Sequence, residues 1–152
     1  MTESCDDLFA RYRGTIIGLA LAVPLALAAP PTSFAADITT SAPANFKKVS
    51  SLVKLPDFVP GLGTLYVDPA TLPIGPFLGY GHKGKLINIT YMVPLKDLDA
   101  HKSFDTLGTV AKGVKLDHTD IQYNPGHPGV EEPHYHVVQW LISPAAVKAE
   151  MK

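Results

Sequence analysis

Four of the six histidines in this 152-residue chain lie between His118 and His136, in the segment Asp117-His-Thr-Asp-Ile-Gln-Tyr-Asn-Pro-Gly-His-Pro-Gly-Val-Glu-Glu-Pro-His-Tyr-His136. His134 and His136 are two apart in a stretch that reads as a strand. Both imidazoles therefore leave one face of a sheet, close enough to share an ion. His127 lies in the loop leading into that strand and can swing over the same spot. Three neutral imidazoles suit zinc, copper, nickel or iron, and three protein ligands leave one coordination position for water or substrate. His118 and Asp120 share a face on the preceding strand. If the hairpin register turns them toward His134 and His136, one becomes a further ligand and the other orients an imidazole. A one-residue slip reverses that. The same pattern also suits a plain core, in which the two strand histidines end the apolar stripe of Val138, Trp140 and Ile142 and bond to backbone or to Glu131 and Glu132.

Other chemistries find less support. The cupin metal motif shares the H-x-H pair but follows it three or four residues on with glutamate, whereas here Val137, Val138, Gln139 and Trp140 follow. A cupin-like metalloenzyme acting on a small organic substrate stays as the alternative reading. There is no serine in a strained elbow, no catalytic cysteine and no H-E-x-x-H helix. Gly126 and Gly129 serve a turn, since no strand-then-helix pattern surrounds them as a phosphate loop requires.

The elements that must position these residues are mostly strands. Phe46, Val49, Leu52 and Val53 recur at helical spacing, with Asn45 as N-cap and Pro56 as stop. Strands are expected at Thr64 to Val67, at Phe77 to Tyr80 and Lys85 to Val93 as a hairpin, at Val114 to Tyr123, and at His134 to Ile142. Within the Lys85 to Val93 strand, Ile87, Ile89, Tyr91 and Val93 should face the core and Asn88 and Thr90 the other side. A helix is expected from Lys96 to Leu107, stopped by Gly108 and carrying a solvated His101. Ser143-Pro144 opens a terminal helix. Loop-joined strands with short helices predict an α+β fold, an antiparallel sheet or small partly closed β-barrel with peripheral helices.

The chain begins with a signal-peptide pattern. Arg11 and Arg13 flank an uncharged apolar run from Gly14 to Ala28, too short and too interrupted by Pro24 for a comfortable membrane span, and Ser33-x-Ala35 fits a signal-peptidase site. The expected organisation is a signal peptide over 1–35, a flexible leader over 36–45 and a single domain over 46–152, exported to the periplasm or medium and free of the membrane after cleavage. Cys5 is the only cysteine, so the mature domain can form no disulfide or thiolate metal site. Cleavage removes Arg11 and Arg13 with Glu3, Asp6 and Asp7, leaving eleven lysines against eleven acidic residues. Without a guanidinium or a basic excess, nucleic-acid binding is excluded as a partner class.

At Asn124-Pro-Gly-His-Pro-Gly-Val-Glu-Glu-Pro-His-Tyr-His136 the chain resembles a family of small exported bacterial proteins of uncharacterised function, marked by a GH-P loop and a PH-x-x-x-H-like strand. Asp68 to Phe77 and Tyr91 to Leu95 carry the same resemblance. It implies a β-rich, self-assembling domain and no established activity. The family's second strand histidine often falls four residues after the first, where this chain has Val138. The reading that results is an exported domain binding a transition metal or small ligand through its histidine cluster. A third reading is a structural, oligomer-forming envelope protein.

Overall fold

The computed structural model describes residues 38–105, 107 and 114–152. The expected signal peptide and the Gly108 helix stop lie outside that range. Six strands form one open antiparallel sheet in the order β1-β2-β3-β4-β6-β5: β1 Lys47–Lys48, β2 Thr64–Val67, β3 Phe77–Tyr80, β4 Leu86–Pro94, β5 His118–Asn124 and β6 His134–Trp140. Two short helices accompany it, α1 Leu95–Asp99 and α2 Pro144–Glu150. The α+β antiparallel expectation holds, and among the described residues the sheet is open, not a barrel.

Strand β4 is the centre of the structure. All nine of its residues are buried, because both sheet faces are covered. On one face Leu65, Val67, Phe77 and Met92 pack with Val49, and with partly buried Val53, Leu55 and Val59. On the other, Leu78, Tyr80, Leu86, Ile89 and Tyr91 pack with Ile38, Ala42 and Phe46. We refer to these as the front and back faces.

The expected simple alternation of β4 is corrected in two ways. Pairing shifts between Gly79 and Tyr80, whose partners are Asn88 and Leu86, so Ile87 is a bulged residue. Ile87 consequently joins Val138 and Trp140 instead of the back-face cluster of Ile89 and Tyr91. Asn88 and Thr90 are buried too. Burial is tolerable because the Asn88 amide donates to the Leu62 carbonyl at 2.8 Å and accepts from the Thr90 hydroxyl at 3.1 Å.

The expected helix over Phe46 to Val53 is replaced by β1 and a single 3₁₀ turn, Val49–Ser51. Its apolar residues serve opposite faces: Phe46 packs on the back, Val49 and Val53 on the front. The chain is rounding the sheet edge there, and Asn45 donates to Asp68 at 2.7 Å instead of capping a helix. Residues 38–45, expected as a flexible leader, also pack on the back face. Leu86 donates its amide to the Thr39 carbonyl at 2.9 Å, and the Tyr80 hydroxyl donates to the Ile38 carbonyl at 2.8 Å.

Helix α1 is five residues long instead of reaching Leu107. It ends where exposed His101 adopts a left-handed φ of 56°. The terminal helix forms as expected, with the Ser143 hydroxyl accepting from the Ala146 amide at 3.3 Å and Pro144 in its first turn.

Candidate metal centre

Hairpin β5–β6 fixes the register that the sequence left open. His134 and His136 lie opposite Asn124 and Gln122 on β5, and opposite Pro94 and Met92 on β4. Directly opposed residues share a face, so both histidines stand on the front face, beside the aliphatic cluster. They are buried, His134 completely and His136 to within 8% exposure.

The third histidine arrives by a tight turn. His127 and Val130 exchange both backbone hydrogen bonds at 2.9 Å around Pro128-Gly129. Proline followed by a glycine at φ 91° is the residue pattern of a type II turn. A Cβ on Gly129 would also sit 2.7 Å from Val53 Cγ1, so position 129 holds only glycine without a shift. Upstream, the Asn124 side chain accepts from the Gly126 amide at 2.9 Å and sets the loop's departure from β5.

The three imidazoles converge. One nitrogen from each of His127, His134 and His136 lies within 4.8 Å of the others. Their protonation pattern follows from their partners. His134 Nδ1 is 2.8 Å from the Glu132 carbonyl and His127 Nδ1 is 3.1 Å from the Pro128 carbonyl. A carbonyl can only accept, so both Nδ1 atoms carry hydrogen, and in the neutral rings both Nε2 atoms present lone pairs. His134 Nε2 lies 3.0 Å from His136 Nε2, a contact held by one hydrogen on His136. Two imidazoles bound tetrahedrally at about 2.0–2.1 Å would place their nitrogens about 3.3–3.4 Å apart. Exchanging the shared hydrogen for a cation thus asks of the His134–His136 pair only a few tenths of an ångström and transfer of that hydrogen to His136 Nδ1, whereas His127 has to draw in further, the three nitrogens spreading to 4.8 Å.

Electrostatics favour the lone pairs. Burial, reinforced by the neighbouring His134 and His127, pushes the His136 pKa down to about 4. The ring is neutral across the physiological range, as a ligand must be. The backbone carbonyls bonded to His127 and His134 hold those rings in the ligating tautomer, as outer partners do in metal sites.

His118 and Asp120 are on the same face but not at the site. His118 is opposite Trp140, four residues and about 13 Å along the strand from His136. Its ring stacks on Trp140 with centroids 6.0 Å apart, and its Nδ1 pairs with Asp117 at 2.8 Å. Asp120 accepts from the Trp140 indole at 2.9 Å. Both buttress Trp140. Glu132 pairs with Lys96 at 2.7 Å and offers the cluster only its backbone carbonyl. The described His/Cys/Asp/Glu cluster contains three histidines and no carboxylate, which removes the glutamate a cupin-type site requires.

The histidine cluster borders a cavity of about 390 Å³ on the front face, lined by His127, His136, Gln122, Asn124 and many aliphatic side chains. Gln122 and Asn124 escaped the sequence reading, although they continue the every-second-residue pattern of His118 and Asp120.

The fold and site define an open antiparallel-sheet protein with a three-histidine cluster beside an apolar cavity. No family model matches the chain, and no curated protein matches it. Among solved structures it is similar to the crystal structure of hypothetical protein TTHB210 from Thermus thermophilus, with a TM-score of 0.58 and 46% sequence identity over 64% of this chain and 93% of that one. The chain belongs to the same family as that protein.

Proposed function

We propose that this domain binds one transition-metal ion, zinc in the first instance, through Nε2 of His127, His134 and His136, with a fourth position open toward the cavity. We further propose that it does so after export, as the Arg-flanked apolar run and Ser33-x-Ala35 imply. The observation that carries the metal reading is the pair of Nδ1–carbonyl bonds at His127 and His134. The bond at His134 leaves its Nε2 lone pair facing buried His136 at 3.0 Å, and the bond at His127 leaves Nε2 as the lone-pair nitrogen of the third ring. The turn at Pro128-Gly129 brings a third ring, His127, to within 4.9 Å of the His134 ring centroid and 5.7 Å of that of His136. An open coordination position makes the site suited to holding a small ligand, and equally to activating water. Metal analysis of untagged protein after equilibration with zinc and gel filtration should find about one equivalent per chain. A content below about a tenth of an equivalent would contradict the reading.

A further inference from the structure

We propose that the front-face cavity is a binding site for an amphiphilic monocarboxylate, a molecule with a hydrocarbon body and one carboxylate that completes the metal's coordination. The proposal rests on the metal reading above and adds the chemical class of the ligand. Its first support is the segregation of the lining. The polar side chains, Thr90, Gln122, Asn124, His127 and His136, all come from β4, β5, β6 and the His127 turn. The 49–62 segment, β2, β3 and the Leu72-Pro73 pair contribute apolar residues alone, to which Met92, Pro128, Gly129 and Val130 add from the polar side. A ligand matched to these walls is apolar along its body and polar at one end.

Charge supplies the second support. Three neutral imidazoles leave a divalent cation its full charge of about +2, and among the described residues no aspartate, glutamate, lysine or arginine lines the cavity. An uncompensated charge beside an apolar wall is costly, so the anion must come from outside, and a carboxylate is a good oxygen ligand for such an ion. Gln122 and Asn124, opposite His136 and His134, line the same cavity and would offer amide N–H donors to its second oxygen. The third support is size. Filled at the density of an organic liquid, about 390 Å³ admits roughly 10 to 14 non-hydrogen atoms, a chain of medium length. Two otherwise unexplained exposed leucines, Leu52 and Leu72, also line the cavity and offer an apolar rim.

The test uses octanoate and 1-octanol as probes, titrated calorimetrically into the full mature chain, zinc-loaded and chelator-stripped, with zinc content measured in each sample. The proposal expects one octanoate per zinc-loaded chain, binding at least tenfold tighter than to stripped protein, while octanol binds both forms alike. Leu52→Trp and Leu72→Trp, placed at exposed positions so that folding is retained, should weaken octanoate by tenfold or more without lowering zinc content. Zinc-loaded protein that ignores octanoate, or binds it no better than stripped protein does, overturns the proposal and leaves the metal reading standing. So does octanoate affinity unchanged in both tryptophan variants. Protein that takes up no zinc overturns both, and the zinc measurement separates that case from the others.

Discussion

His136 is the residue on which burial and chemistry meet. Its pKa lies near 4 in the folded chain against 6.5 for an unperturbed histidine, so between those values the unfolded chain binds the extra proton. Stability from this group is complete above about pH 6.5 and is lost as pH falls toward about 4. Urea denaturation of metal-free protein across that window should show the decline, and His136→Leu should flatten part of it. A variant whose pH slope equals the parent's would show that His136 is not buried in neutral form. At the other end of the face, Asp120→Ala removes the acceptor of the Trp140 indole and should cost about 1 to 2 kcal/mol. Zinc stoichiometry should not change, and a loss of zinc would place Asp120 in the site after all.

Among the elements, the turn at His127 to Val130 decides whether two histidines become three. Gly129→Ala imposes both a disfavoured φ and a collision with Val53. It should weaken zinc binding about tenfold or more, as displacing a ligand's support does, while β5 and β6 remain paired. Unchanged affinity in a competition titration would mean that the turn does not position His127. In β4, Asn88→Ala strips partners from Leu62 and Thr90 inside a fully buried strand. The expected loss is about 1 to 3 kcal/mol by chemical denaturation, and a neutral result would argue against that burial.

Element type was legible where a segment serves one face or closes a local motif. Strand β6, with its two histidines in step, and helix α2, with its Ser143 cap, follow from local pattern alone. Pattern failed where the chain changes faces. Phe46, Val49 and Val53 mimic a helical stripe while packing on both sides of the sheet, and only the edge position of β1 explains it. The bulge at Ile87 and the opposition of His118 to Trp140 depend on pairing between distant segments. Periodicity within one segment carries no record of that register.

For the whole molecule, the sheet's two faces have different tasks. The back face, covered over β3 and β4 by Ile38, Ala42 and Phe46, supplies packing there, while on β5 it leaves Ile121 and Tyr123 exposed. The front face divides between an aliphatic cluster, a cavity and the three histidines. Export can be checked on protein recovered from the cell envelope or medium. Its mass and N-terminal sequence should correspond to cleavage after Ala35, or after Ala36, and an intact Met1 would contradict it.

The central claim is that His127, His134 and His136 together hold a metal, and thermal melting with and without zinc tests it most directly. Ligand present at about 100 times its Kd stabilises by about 2.7 kcal/mol, which for a domain of this size is a Tm rise on the order of 10 °C. The parent and a His101→Ala control, whose own stability should change by less than about 0.5 kcal/mol, should both show that rise. His134→Ala and the double variant His134→Ala/His136→Ala should melt cooperatively, so that they are demonstrably folded, and should show no zinc-dependent shift. An equal rise in the parent and the folded double variant would contradict the account, because zinc would then be binding somewhere else.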